Sequence, residues 1–177
     1  MNQPAPRHTG FDVPPHMYGS TMDTDTVEPQ RSLHLVDIEN LLGDPLCEDT
    51  NRVEETLHAY RQLSDWQVTD QVLVAANKWL SARIAFSLQN WNCRLFTAKG
   101  KDGADLRLLA EGAQPKLIAR FDRLVVGSGD GIFCEAVSAA RTLSLKAVTV
   151  ARESSLSRRL AVESDEVHTI SESSYAA

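Results

Sequence analysis

From Ser32 onward the chain repeats one pattern, a short apolar run followed by a stretch with helical apolar spacing, and few folds accept that pattern. Leu33-His34-Leu35-Val36-Asp37 reads as a buried strand ending in an acid. Gln71–Ala76, Cys93–Thr97, Arg123–Gly127 and Lys146–Val150 read as four more strands, and Glu166–Thr169 as a last one. Between them, Asn51-Arg52-Val53-Glu54 has capping-box spacing and predicts a helix to about Leu63. Lys78 to Trp91 places Leu80, Ile84, Leu88 and Trp91 on one helical face. Helix is also predicted over Ala104–Glu111, running on past Pro115 to Arg120, over Gly131–Thr142, and near Ser155–Leu160. Strands and helices alternating at these intervals imply right-handed crossovers and an α/β fold: a doubly wound, mostly parallel sheet flanked by helices. Near-continuous apolar strands fit a sheet covered on both faces.

The repeating pattern fills one domain, residues 31–170. Residues 1–30 hold five of the seven prolines among Gly, Ser, Thr and Asp, without apolar period, and read as a disordered tail. Residues 171–177 form a short C-terminal tail. No run has the length of a membrane span, and no secretory signal is evident. Cys47, Cys93 and Cys134 lie far apart, which argues against a disulfide framework or structural zinc and for reduced thiols in a cytoplasmic protein. The net charge of −6 disfavours a nucleic-acid partner at first sight, but the charge is unevenly spread. Residues 71–160 carry 14 Lys/Arg against 7 Asp/Glu, whereas residues 1–70 carry 4 against 13. A local positive surface for an anionic ligand is therefore compatible with an acidic chain, although such residues equally serve as solubilising surface.

In doubly wound sheets, ligands bind at the carboxyl ends of the strands, where the strand order reverses. Three acids are expected there. Asp37 ends the first strand, Asp105 opens a helix after the third, and Asp130 follows the fourth in Gly127-Ser128-Gly129-Asp130-Gly131. Carboxylates brought together raise one another's pKa unless a cation joins them, and all-oxygen ligands suit Mg²⁺ or Mn²⁺. Such an ion can lower the pKa of bound water beside a phosphodiester. Asp105 and Asp130 also stand where acids favour a helix N-terminus; Asp37, closing a buried strand, has no capping role as obvious. Asn40 can orient Asp37 or stabilise its own turn. The glycines around Asp130 can turn backbone amides toward an anion, and Ser128 can bond a phosphate or cap the helix. Lys99, Lys101 and Arg107 flank Asp105 and can meet a nucleic-acid backbone or remain plain surface. Trp79 and Trp91 are expected in the core, His34 and His58 in structural roles, and Asn77 as a cap of the following helix.

Together, Asp37-x-x-Asn40, Lys101-x-Gly-Ala-Asp105 with Leu106 and Leu108, and Ser128-Gly129-Asp130-Gly131-x-Phe133 resemble the NYN domain, of the PIN-like ribonuclease superfamily. The resemblance spans roughly residues 32–169. It implies a PIN-like three-layer sandwich and metal-dependent endoribonuclease activity, with Asp37, Asp105 and Asp130 holding Mg²⁺ or Mn²⁺ and Asn40 beside them. RNA would be the partner, met by Ser128, Gly129 and Lys101. Ile132 stands where the family often has a second acid, and Glu111 stands six residues beyond Asp105, about 240° around the helix. The loss at Ile132 favours a competing expectation, an RNA-binding or regulatory module of the same fold without turnover. A nucleotide-binding domain is a third expectation, opposed by the absence of a P-loop and of Gly-x-Gly-x-x-Gly after a strand.

Overall fold

The computed structural model describes residues 30–100 and 102–171. The six strands are β1 (Ser32–Asp37), β2 (Gln71–Asn77), β3 (Cys93–Ala98), β4 (Arg123–Gly127), β5 (Lys146–Arg152) and β6 (Glu166–Ile170). They form one sheet in the order β3-β2-β1-β4-β5-β6, and every pairing is parallel. The direction of winding reverses between β1 and β4, so the crevice at their carboxyl ends is the place where a ligand site is expected.

Side chains alternate across the sheet with period 2, and each face builds its own core. Val36, Val72, Val74, Val125 and Val148 pack with α1 (Ile38–Leu42), α2 (Thr50–Leu63) and α3 (Lys78–Ile84). Leu33, Leu35, Leu73, Leu124 and Val126 pack with α4 (Gly103–Gly112), α5 (Pro115–Ile118), α6 (Cys134–Thr142) and Leu160 of α7 (Arg158–Glu163). Both faces are thus covered, and the fold is the doubly wound α/β sandwich that the strand pattern implies. No described helix is long and apolar enough to cross a membrane. The three cysteines are free; Cys47 and Cys134 are buried.

Several boundaries differ from expectation for local reasons. The cap of α2 is Asp49, whose carboxylate accepts from Asn51 N and Arg52 N, rather than a box opened by Asn51. The helix expected to Trp91 ends at Ile84, because beyond it Gln89 N and Trp91 N bond to Phe86 O and Leu88 O, only three residues back. That tighter coil still buries Leu88 and Trp91. Pro115 starts a separate helix at its first position instead of continuing α4. A 3-10 turn over Gly131–Phe133 precedes α6, and the last helix begins at Arg158, after a 3-10 turn over Glu153–Ser155. Trp79 lies outside the core, 72% exposed, whereas Trp91 is inside. The N-terminal tail, the last six residues of the C-terminal tail and Lys101 lie outside the described residues.

A polar network closes the amino-terminal half of β1. Asp70, just before β2, accepts from Ser32 N (2.7 Å), Gln67 N (2.8 Å) and His34 Nε2 (3.2 Å). His34 Nδ1 lies 2.8 Å from Tyr60 Oη. With Nε2–H donating to the carboxylate, Nδ1 accepts from the tyrosine hydroxyl, so neutral His34 is satisfied at both nitrogens. Burial depresses the His34 pKa and raises that of Tyr60, which keeps both neutral. Burial alone would raise the Asp70 pKa, but the bonds from His34, Gln67 and Ser32 hold it below the usual value. His34 is therefore structural, as expected of a histidine inside a strand, and His58 lies exposed on α2.

Candidate active site

The register between β1 and β4 sets Val36 opposite Gly127, so Asp37 and Ser128 leave neighbouring strands at the same level. Asp37 shares the strand face of Leu33 and Leu35, which is the face covered by α4. Asp105 lies in the first turn of α4 and is also buried. The Asp37 and Asp105 carboxyls come within hydrogen-bonding reach of each other. Two carboxylates can bond only through a shared proton or cation. Asp105 Oδ1, buried, meets no hydrogen-bond donor among the described residues.

Burial, followed by the neighbouring Asp105, pushes the Asp37 pKa up to about 8. Burial also raises the Asp105 pKa, with the charges of Asp130, Asp102 and Glu39 adding to the effect. Both shifts have the signature of carboxylates held together out of water.

A consequence for stability follows in chelator. Unfolded Asp37 releases its proton near the ordinary value of 3.8, and folded Asp37 only near 8. Between these values the unfolded state binds fewer protons, so stability present at low pH is lost as pH rises toward 8. His34 acts in the opposite sense: its lowered pKa costs stability as pH falls below its ordinary 6.5. Melting temperatures in chelator should therefore fall from about pH 6.5 to pH 8. An excess of Mg²⁺ or Mn²⁺ should abolish that fall, and a flat profile without metal would show that the pair is not strained.

The remaining expected residues divide. Asp37 does have a capping role, contrary to expectation, because α1 begins directly after the strand: its Oδ1 accepts from Glu39 N (3.1 Å) and Asn40 N (3.3 Å). The other carboxylate oxygen is left for Asp105 or a ligand. Asp130 is exposed and caps the following turn, accepting from Ile132 N at 3.0 Å. Its charge is felt by Asp105, yet no three His, Cys, Asp or Glu among the described residues group closely enough to hold an ion together. The expected three-aspartate cluster is thus observed as a two-carboxylate pair with a third acid at the rim.

Asn40 is a strut. Its Oδ1 accepts from Gly129 N (2.8 Å) and Ser155 Oγ (3.0 Å), joining the turns after β1, β4 and β5. Ser128 is fully buried, with its Oγ accepting from Asp130 N. The amides of Gly129, Asp130 and Ile132 are therefore engaged inside the protein, and the glycine-rich turn is no open anion cradle. Arg107 pairs with Glu111 at 2.8 Å along α4 and stays half exposed, and Lys99 is exposed. Two contributors went unnoticed in the sequence. Glu39 stands beside the pair and accepts from Asn77 N, and Ser155 bonds Asn40. Asp37-x-Glu39 was visible, but only the short helix α1 turns Glu39 toward β2.

Gly129 is required by close approach. A Cβ there would stand 2.4 Å from the backbone oxygen of Ser155. Gly129→Ala should push the turn after β5 away and destabilise the protein by about 1–3 kcal/mol. Thermal melting beside wild type measures this; an unchanged melting temperature would mean that the turn yields freely.

No family model matches the chain, and no curated protein matches it. Among solved structures, the chain is similar to a protein of unknown function from Vibrio parahaemolyticus RIMD 2210633, with a TM-score of 0.54 at 14% sequence identity. The likeness covers 81% of this chain and 94% of that one, and at such identity it speaks to the fold alone.

Proposed function

We propose that the protein is a metal-dependent endoribonuclease, which hydrolyses RNA phosphodiester bonds at the Asp37–Asp105 pair. One observation carries this assignment: two buried carboxyls from different elements meet at the switch point of the sheet, and one of their oxygens has no donor. A pair of this kind fits a hard divalent cation, Mg²⁺ or Mn²⁺, with Asp37 and Asp105 as its protein ligands. Bound there, the ion would supply an acidified water and offset charge on the phosphate. Asp37 and Asp105 would hold the ion, and Asn40 frames the site by tying Gly129 and Ser155 together. Asp130 and Glu39, both near the pair, add negative potential that draws a cation in and holds the protonated pair until one arrives.

A second function has its own support. Ile132 and the capped, exposed Asp130 leave only two carboxyls converging, which suits an RNA-binding module of the same fold without turnover. Labelled single-stranded and hairpin RNAs, incubated with the protein in Mg²⁺, Mn²⁺ or chelator, separate the two. Cutting in metal alone supports the enzyme. Binding with no cutting under any metal supports the module, and no affinity for RNA removes both.

A further inference from the structure

The polar network that closes β1 continues outward as a row of aromatic rings. His34 and Tyr60 have no exposed surface, and their rings meet edge to face with centroids 5.9 Å apart. Tyr60 stacks on Trp91 at 6.3 Å and 15°, and Trp91 lies 5.8 Å from Trp66. Trp91 is 8% exposed, and Trp66, in the turn after α2, is half-buried. The row therefore runs from the surface to the interior with each ring against the next. Burial of apolar area accounts for the rings themselves. The polar groups at the two ends of the row differ in kind, and that difference gives it a direction.

At the inner end a base stands ready for a proton. Tyr60 Oη donates to His34 Nδ1 at 2.8 Å, and His34 Nε2 donates to Asp70 Oδ2 at 3.2 Å. A proton passed to Nδ1 makes an imidazolium that already touches a carboxylate. Of the two full charges that act on His34, Asp70 outweighs Arg123. At the outer end the opposite holds. Trp66 Nε1, buried, meets no acceptor among the described residues, so an oxidised Trp66 finds no protein group to take its proton. Arg61 stands 4.2 Å over the Trp66 ring and 5.7 Å from that of Trp91. A guanidinium there opposes positive charge on either indole. Positive charge on the row is thus resisted at the outer end and relieved at Tyr60.

We propose that Trp66, Trp91 and Tyr60 form a conduit for one-electron oxidation that ends at Tyr60, with His34 as the base that receives the phenolic proton. The oxidant is a small diffusing radical, which needs no pocket and takes one electron from Trp66. Trp91 replaces that electron, and Tyr60 replaces the one lost by Trp91. As the electron leaves Tyr60, its O–H bond breaks and an N–H bond forms at His34 Nδ1. The products are a neutral tyrosyl radical, an imidazolium paired with Asp70, and the oxidant reduced to its anion. A one-electron reductant such as ascorbate reverses both transfers, and the proton returns from His34. This activity is independent of the carboxylate pair and of the ribonuclease reading.

The test is pulse radiolysis with the azidyl radical, which oxidises tryptophan ahead of tyrosine. The full chain carries Trp79→Phe, Tyr18→Phe and Tyr175→Phe, leaving Trp66, Trp91 and Tyr60 as its tryptophans and tyrosine. Tryptophanyl absorption should decay as tyrosyl absorption grows, at one rate that ignores the concentrations of protein and of buffer base. Adding Trp66→Phe should remove most of that growth. Tryptophanyl decay without tyrosyl growth overturns the proposal, as does growth undiminished by Trp66→Phe. Growth that quickens with protein concentration overturns it too, because transfer is then between molecules. Growth that quickens with buffer base does the same, because the proton then goes to solvent rather than to His34.

Discussion

Replacing Asp37 by Asn should raise the melting temperature of the metal-free protein and, in the same molecule, abolish metal-dependent cleavage. The amide matches the carboxylate in shape, so its oxygen can still cap α1 through Glu39 N and Asn40 N. Its NH₂ supplies a donor toward Asp105, which the wild-type carboxylate gives only when protonated. The charge that burial and Asp105 oppose is gone, and with it the cost of ionising a group whose pKa stands near 8. At pH 7 to 8 that relief is on the order of a few kcal/mol, or several degrees to about 10 °C for a chain of this size. Loss of an anionic ligand should cut the cleavage rate by a factor on the order of 10² or more. Added Mn²⁺ should raise the melting temperature of wild type and leave the variant unmoved. Such opposite effects on stability and activity mark a residue kept for function at a cost to the fold. A variant that melts lower than wild type, or that cuts RNA as well, would leave Asp37 as a cap and nothing more.

Asp70→Ala should do the reverse, damaging the fold at a place remote from the carboxylate pair. Three donors converge on Asp70, from Ser32, Gln67 and His34, and Asp70 and His34 have no exposed surface. Alanine leaves those donors unpaired in the interior and frees the bond between His34 and Tyr60 to shift. Removing one member of such a closed network should cost about 3 kcal/mol or more. That corresponds to a fall in melting temperature on the order of 10 °C. Urea unfolding should show the loss in the midpoint, with little change of slope. Asp70→Asn should be milder, because its oxygen still accepts from Ser32 or Gln67. If alanine is tolerated within a degree or two, water has entered the network and replaced the carboxylate.

The architecture was legible because parallel strands buried on both faces read as near-continuous apolar runs, and β1, β2, β4 and β5 do, with His34 and Thr149 the interior exceptions. β6, half exposed, was visible mainly from its position after a helix. The site was legible in part. Asp37 and Asp105 could be paired in advance because both follow from where a strand ends and a helix begins. The fate of Asp130 was not, since one carboxylate can cap a turn or face a cleft according to a single torsion. The five-residue α1 escaped notice because Asp37-Ile38-Glu39-Asn40-Leu41-Leu42 is too short to display a helical period. Its cap, the position of Glu39 and the reach of Asn40 went unseen with it. Trp79 was misplaced for a different reason. It stands about 100° around the helix from Leu80, off the face that Leu80 and Ile84 bury, and its apolar character alone suggested the core.

The strut formed by Asn40 separates two properties that many acidic clefts confuse. An uncharged amide, not an ion pair, clasps the rims of three strands, and its grip owes nothing to protons or dissolved salt. The junction of the three turns should therefore keep its geometry over conditions that switch the neighbouring carboxyls between neutral and anionic, so that the charge of the pair can change while the frame that holds it stays constant.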